Sequence, residues 1–100
     1  MVNKSEKGAR NEAKAKKELL EDGYEVESVK RLKYGRTDFF GLFDVIAING
    51  EHVRLIQVKS NRRESRKDRE RIRRFRCPNS CSKEVWVMHD YKGWKKYAIL

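Results

Sequence analysis

The sequence predicts an α/β fold in which helices flank a mixed central sheet, with the element order α-β-β-β-α-β-β. Two segments, 42–48 and 53–59, are apolar on both faces. Strands of that kind are usually central in a sheet and covered on both sides. Residues 5–22 and 64–76 have helical patterns, and the two predicted helices would cover the sheet. One hundred residues suffice for one modest core, so residues 1–100 are expected to form a single domain.

The first third of the chain is predicted to form a helix, a strand and a loop. A weak apolar stripe along residues 5–22 predicts the helix, and Gly23 is suited to end it. Residues 24–29 alternate imperfectly between apolar and polar side chains, which indicates a strand. Residues 31–41 combine basic, aromatic and glycine residues and are expected to form a loop.

Asn49-Gly50, between the two apolar segments, predicts a β-hairpin. A two-residue type I′ turn needs positive φ at both central residues, and Asn-Gly meets that need. This register places Asp44 opposite Leu55. Because side chains alternate between faces along a strand, Asp44 then shares a face with Gln57 and Lys59. Gln57 becomes its diagonal neighbour.

The last third is predicted to form a basic helix and two strands. Residues 64–76 form the helix, which Pro78 ends. Residues 85–88 are apolar enough for a buried strand, and 95–100 form a final strand after a turn at 91–93. We expect the first helix to cover one face of the sheet and the basic helix to lie near it.

The charge is large and unevenly placed. The chain is 40% charged with a net charge of +10. Residues 62–76 contain nine Arg or Lys and three acidic residues, and so contribute +6 of the total. A concentrated basic segment is the electrostatic footprint of a phosphate-backbone partner. An anionic membrane surface is the competing partner, but Ile72 and Phe75 alone could insert, which is poor for an interfacial helix.

Hydropathy and cysteine usage indicate a cytoplasmic protein. No apolar run approaches membrane-spanning length, and no signal-peptide pattern precedes the charged N-terminus. Cys77 and Cys81 form a CxxxC pair, and zinc would need two further ligands, for which His52 and His89 are distant candidates. We expect free thiols, or a disulfide if the host is unusual.

Asp44, Gln57 and Lys59 are polar residues on strands otherwise rich in Val, Ile, Leu and Phe. One interpretation is that they are strand-end and surface residues of an ordinary alternation. However, strands that are apolar on both faces are covered, so polar groups at their ends are expected to line a rim or a cleft. We therefore interpret the three as a functional site.

Asp44 lies thirteen residues before the first residue of Gln57-Val58-Lys59. Within the predicted first helix, Glu12 is the last residue of the segment Gly8-Ala9-Arg10-Asn11-Glu12. This pattern resembles the PD-(D/E)XK nuclease superfamily, and with the element order it is most similar to the small archaeal Holliday junction resolvases. The resemblance implies a restriction-endonuclease-like core. It also implies metal-dependent hydrolysis of phosphodiester bonds in DNA, selective for Holliday junctions or other branched DNA, as in recombination and repair.

Phosphodiester hydrolysis requires neutralisation of the phosphate charge, a hydroxide-like nucleophile and stabilisation of the leaving oxygen. The resemblance implies Mg²⁺, or Mn²⁺, as cofactor, with Asp44, Gln57 and Glu12 as ligands. Lys59 would position or deprotonate the attacking water and stabilise transition-state charge. Glu12 has an ordinary alternative, an i,i+4 ion pair with Lys16 on a solvated face.

Gln57 departs from the family pattern, which usually has Glu or Asp at this position. A neutral amide is a weaker Mg²⁺ ligand than a carboxylate. The alternative function is therefore a non-catalytic nucleic-acid-binding module on a decayed nuclease fold. A third hypothesis is an RNA-binding protein in which Asp44 and Lys59 are incidental strand residues.

The expected partners are DNA and a second copy of the chain. Candidate phosphate contacts are the basic residues expected near the cleft, Arg10, Lys33, Arg36, Arg62, Arg63, Arg69 and Arg73. A solvated surface role is the alternative for any one of them. Cutting two strands needs two sites, so a C₂ homodimer is expected.

Overall fold

The computed structural model describes residues 4–29, 31–32, 35–36 and 38–100. The elements of these residues are α1 (Lys4–Glu21), β1 (Glu25–Ser28), β2 (Arg31–Leu32), β3 (Gly35–Arg36), β4 (Val45–Ile48), β5 (Val53–Ser60), α2 (Arg66–Arg74), β6 (Cys81–His89) and β7 (Gly93–Ala98). The predicted element order is confirmed, with one addition. The segment predicted as a loop contains the short antiparallel pair β2–β3.

The main sheet is mixed, as predicted, with the strand order β1-β4-β5-β6-β7. β5 and β6 are parallel and are connected through α2, whereas the other neighbours in this sheet are antiparallel. β1 and β7 form the two edges. β1 carries the exposed residues Glu25 and Glu27, and β7 carries the exposed residues Lys95 and Lys96.

The two helices cover opposite faces of this sheet. Ile56 of β5 packs in a cluster with Leu19 of α1. Its neighbour Leu55 packs in a second cluster with Ile72 of α2. Adjacent residues of a strand point to opposite faces, so the expectation that the basic helix lies near α1 is wrong. Ile72, the buried residue of α2, fixes the face because the rest of that helix is polar.

The β4–β5 hairpin has a longer turn than predicted. Ile48 lies opposite Val53, so the loop runs from Asn49 to His52. Asn49 Oδ1 accepts the backbone N–H groups of Glu51 at 2.9 Å and of His52 at 2.7 Å, and this local bonding replaces the predicted type I′ turn. The predicted register is wrong by two residues. Because the side-chain period of a strand is two, this shift leaves each side chain on its predicted face.

α1 ends in a Schellman motif. Gly23 adopts φ +91°, a left-handed conformation that glycine adopts without strain. The N–H of Tyr24 donates to the carbonyl of Leu19, and the N–H of Gly23 donates to that of Leu20, both at 3.1 Å. These bonds satisfy carbonyls that have no partner within the helix. The predicted role of Gly23 is confirmed.

α2 is shorter than the predicted 64–76 because both of its ends are capped. Ser65 Oγ accepts the N–H of Asp68 at 3.1 Å and starts the helix. Lys83 Nζ, from β6, donates to the carbonyls of Ile72, Arg73 and Phe75 at 2.8 to 3.0 Å. An ammonium at a helix C-terminus also interacts favourably with the helix dipole.

A carboxylate, Glu84, is buried on β6. Arg54 donates to both of its oxygens at 2.8 Å, and Ser82 Oγ and Trp86 Nε1 donate at 2.5 and 2.9 Å. Burial alone would raise the pKa of Glu84, but these hydrogen bonds outweigh it and hold the pKa below its ordinary value. The hydrogen bond to Glu84 raises the pKa of Arg54, against the opposing effect of burial.

The helices and cysteines bear on the expectations drawn from composition. Neither helix, over the residues that the structure describes, has the length and apolarity to cross a bilayer.

Cys77 and Cys81 are free thiols. Burial, together with the neighbouring Cys77, raises the pKa of Cys81 to about 12, so this thiol is protonated at neutral pH.

Candidate active site

The sheet opens on one side of β5 at the point where β4 begins. β5 pairs with β6 as far as Ser60 but with β4 only as far as Ile56. Asp44 lies at this opening and is 4% exposed. Its Oδ2 accepts the N–H of Val58 at 2.7 Å, and its own N–H donates to the carbonyl of Ile56 at 2.8 Å. The carboxylate is therefore held against the second half of β5.

Gln57 faces α2, and its hydrogen bonds fix the orientation of the amide. Nε2 donates to the carbonyl of Leu42 at 3.1 Å and to Asp68 Oδ2 at 3.4 Å. Both partners are acceptors, so a flipped amide would place oxygen against oxygen. Oε1 is buried and has no hydrogen-bond partner among the described residues. Such an acceptor costs about 1–3 kcal/mol, which a bound cation or water would offset.

Gln57→Glu is expected to destabilise the protein at neutral pH by about 1–3 kcal/mol. A carboxylate has no proton to donate to Leu42 or Asp68, and it adds like-charge repulsion to the latter. Its folded-state pKa is therefore raised, and the loss of stability should diminish as the pH falls into mild acid. Urea unfolding at both pH values measures the effect. Gln57→Met, which removes the amide without adding charge, is the control. Wild-type stability of Gln57→Glu at neutral pH would contradict this account.

Lys59 lies two residues beyond Gln57 and therefore projects from the same face of β5. Its side chain is partly exposed, and it forms no hydrogen bond or ion pair with the residues that the structure describes. An ammonium that has no partner in the described part of the chain is available to an anion from solution.

The α1 side of the opening carries Asn11 and Glu12, both buried. Asn11 Nδ2 donates to Ser60 Oγ at 2.6 Å and so ties α1 to the end of β5. Glu12 precedes the buried Ala15 by three residues and lies on the same side of the helix. Because Glu12 is 5% exposed, the solvated-face alternative does not describe it. Glu12 thus belongs to the helix that covers one face of the sheet, whereas Gln57 and Lys59 project from the other face, towards α2.

No protein-family model matches the chain, and no curated protein sequence matches it. Among solved structures, it is similar to Hjc, a Holliday junction resolvase from the archaeal hyperthermophile Archaeoglobus fulgidus. The TM-score is 0.69, with 22% sequence identity over 93% of this chain and 73% of that chain. The chain has the fold of an archaeal Holliday junction resolvase. The restriction-endonuclease-like core implied by the sequence resemblance is thereby confirmed as a fold.

The oxygen atoms at the opening suit a hard divalent cation. Mg²⁺ prefers carboxylate and carbonyl oxygens as protein ligands. Asp44 and Glu12 have carboxylates, and Gln57 has the buried oxygen without a partner. No three His, Cys, Asp or Glu side chains form a cluster within the described ranges. Asp44 and Gln57 at the opening, with Glu12 on the α1 side, are the oxygen donors whose chemistry suits such an ion.

Two of the predicted phosphate contacts, Arg63 and Arg69, bind a carboxylate within the protein. Glu64 is buried, and it accepts hydrogen bonds from Arg63 at 3.1 Å and from Arg69 at 3.0 Å. Burial alone would raise the pKa of Glu64, but the hydrogen bonds from Arg69 and Arg63 hold it below its ordinary value. The Arg63 guanidinium also lies 3.7 Å from the centroid of the Tyr97 ring. Both arginines therefore anchor the segment that leads into α2.

The other predicted phosphate contacts differ in their surroundings. Arg73 pairs with Glu70 at 2.6 Å, but a surface pair of this kind contributes little to stability. Lys33 lies outside the described residues, and only the backbone of Arg36 is described. Arg10 is exposed on α1. Around α2, the exposed basic side chains without an ion pair to any described residue are Arg62, Arg66, Lys67, Arg74 and Arg76.

Sequence reasoning missed the roles of Asp68, Asn11 and Glu64. Ser65-Arg66-Lys67-Asp68 has the spacing of an N-terminal capping pattern, and that signal could have placed the start of α2 and so the position of Asp68. No sequence signal singles out Asn11 or Glu64. Their partners are set by tertiary packing.

Proposed function

We propose that the protein is a metal-dependent endonuclease that hydrolyses phosphodiester bonds in DNA, with branched DNA such as a four-way junction as its preferred substrate. The observation that carries the proposal is the buried Oε1 of Gln57. It is oriented by two hydrogen bonds, it has no partner among the described residues, and it lies on the same strand as Lys59. The similarity of the fold to an archaeal Holliday junction resolvase supports the same class of reaction.

The residues at the opening divide the chemistry between them. A bound Mg²⁺ or Mn²⁺ would neutralise phosphate charge and lower the pKa of a coordinated water. The N–H of Val58 donates to Asp44 Oδ2, which orients the carboxylate that would hold the ion. Gln57 Oε1 and Glu12 would be the further oxygen donors to such an ion. Lys59 donates to the attacking water or to a phosphate oxygen and stabilises the charge that develops.

The basic surface around α2 positions the DNA. Lys and Arg that contact phosphates release counterions, so binding is steeply salt-dependent and largely independent of sequence. The cations that form no ion pair with a described residue, such as Arg66 and Arg74, are better suited to this task than Arg63 and Arg69. A C₂ homodimer would supply a second site for the second strand of a junction.

A cleavage panel tests the proposal. Purified protein is incubated with labelled duplex, single-stranded, flap and four-way DNA, with Mg²⁺, with Mn²⁺ and with a chelator. We expect metal-dependent cleavage that is fastest on the four-way junction. Products that persist in chelator would contradict the metal requirement. Equal rates on duplex and junction would contradict selectivity for branched DNA.

The non-catalytic alternative has one observation in its favour. The surroundings of Gln57 are built for an amide, because Leu42 and Asp68 both accept its protons. A binding module that had lost catalysis would bind the same DNA with the same salt dependence. It would give no product at any metal concentration, which the same panel detects.

A further inference from the structure

A second cleft, of about 360 Å³, lies between α1 and the turn that joins β6 to β7. α1 contributes Arg10, Asn11 and Lys14, and the strand ends and turn contribute His89 and Tyr91. The volume is within the range of small-ligand pockets. Asn11 also bonds the end of β5, so the cleft adjoins the candidate active site. Arg10, Lys14 and the acidic Asp90 therefore line one concave surface, and the exposed Tyr91 stands at its edge.

The turn holds Tyr91 in a strained conformation. Tyr91 is fully exposed and has φ +65°. The N–H of Lys92 donates to the carbonyl of His89 at 3.0 Å, which makes Tyr91 the second central residue of the turn. Positive φ at that position favours glycine, and a bulky side chain there is unusual. Strain of this kind persists where the surroundings enforce it, and it is concentrated at binding and catalytic sites.

Asn61 enforces the position of the turn. Its Nδ2 donates to Asp90 Oδ2 at 3.0 Å, its Oδ1 accepts the N–H of Asp90 at 2.9 Å, and its N–H donates to the carbonyl of Met88 at 2.9 Å. Asn61 directly follows β5, the strand that carries Lys59. The backbone that carries the Tyr91 ring is therefore fixed relative to the candidate active site before any ligand binds.

We propose that this cleft takes an unstacked base of branched DNA, with the Tyr91 ring stacked on the base and with Arg10 and Lys14 on the flanking phosphates. The proposal rests on the proposed function and deepens it. A base next to an aromatic face, with its backbone next to cations, is the usual arrangement in single-strand recognition. A branch point supplies such a base at a lower unstacking cost than an intact duplex.

Two variants of Tyr91 test the proposal. Tyr91→Gly removes the ring and also relieves the positive φ, so it should fold at least as stably as wild type. Tyr91→Phe keeps the ring and is the matched control. In calcium buffer, Tyr91→Gly should bind a four-way junction about tenfold more weakly, and Tyr91→Phe should bind like wild type. A 2-aminopurine at the branch point should change its fluorescence on binding wild type and Tyr91→Phe, and not on binding Tyr91→Gly.

The proposal would be overturned if the three proteins bound the junction with equal affinity. It would also be overturned if Tyr91→Gly lost as much affinity for an intact duplex as for the junction. These outcomes are separable from failure of the nuclease proposal. If the protein shows the Tyr91-dependent fluorescence change but cleaves no DNA, the nuclease proposal is contradicted and the base-binding cleft is supported. If the wild type cleaves DNA but Tyr91→Gly changes neither junction affinity nor fluorescence, the nuclease proposal is supported and the base-binding cleft is contradicted.

Discussion

Lys59→Met is expected to lower the rate of junction cleavage at least about a hundredfold. Lys59 has no partner among the described residues, and it shares a face of β5 with Gln57. Its ammonium is therefore available to an attacking water or to the phosphate, and methionine removes that charge while keeping a side chain of similar length. Single-turnover cleavage at saturating protein measures the effect on the chemical step separately from binding.

Lys17→Met is the matched control for this experiment. Lys17 is exposed on α1, so its substitution removes one positive charge of the same type from another surface. We expect wild-type cleavage from this control. If the two variants lost activity equally, the effect would be one of net charge, and Lys59 would have no special position in the reaction.

Arg54→Met is expected to destabilise the protein by about 3–5 kcal/mol. Glu84 is buried, and Arg54 donates to both of its oxygens. Without the guanidinium, Ser82 and Trp86 still donate, but the charge of the carboxylate is uncompensated. Methionine retains an apolar stem near the rings of Tyr24 and Trp86, over which the guanidinium lies at 5.3 and 5.4 Å. Urea unfolding measures the loss.

The pH dependence and a double variant check the physical cause. In the wild type the pKa of Glu84 is lowered, so its contribution to stability is present above the ordinary carboxyl pKa and is lost as the pH falls through the folded-state value. In Arg54→Met burial raises that pKa, so the penalty should be largest at neutral pH and smaller in mild acid. Adding Glu84→Gln should recover part of the loss. A pH-independent penalty that the double variant does not reduce would point to lost packing instead.

The sequence was sufficient to place Gln57 and Lys59 on one face of β5 and Asp44 directly before its partner strand β4, even though the turn was predicted wrongly. The reason is the two-residue period of a strand, since a shift of two residues changes the cross-strand partners and not the face. The apolar pattern determines the face. The turn determines which residues lie opposite each other on the two strands. The hydrogen bonds from the N–H groups of Glu51 and His52 to Asn49 lengthen the turn, and the Asn-Gly sequence does not predict them.

The position of α2 could not be predicted for a different reason. A helix with a single buried residue, Ile72, has almost no apolar stripe from which to read its orientation. Its placement depends on contacts distant in sequence, such as Lys83 at its C-terminus and Arg69 on the buried Glu64. The same holds for the amide of Gln57, whose partners Leu42 and Asp68 lie on other parts of the chain.

The charges on the two edge strands limit how copies of the protein can join their sheets. β1 carries Glu25 and Glu27, and β7 carries Lys95 and Lys96. Pairing β7 with its own copy across a two-fold axis would bring lysines close to lysines, and pairing β1 with itself would do the same for glutamates. The edges attract only in the head-to-tail sense, which gives a ring if the rotation closes and an open fibre if it does not, but never a C₂ dimer. A closed dimer therefore has an electrostatic reason to use a helical or loop surface, and charged edges are a common protection against open-ended association.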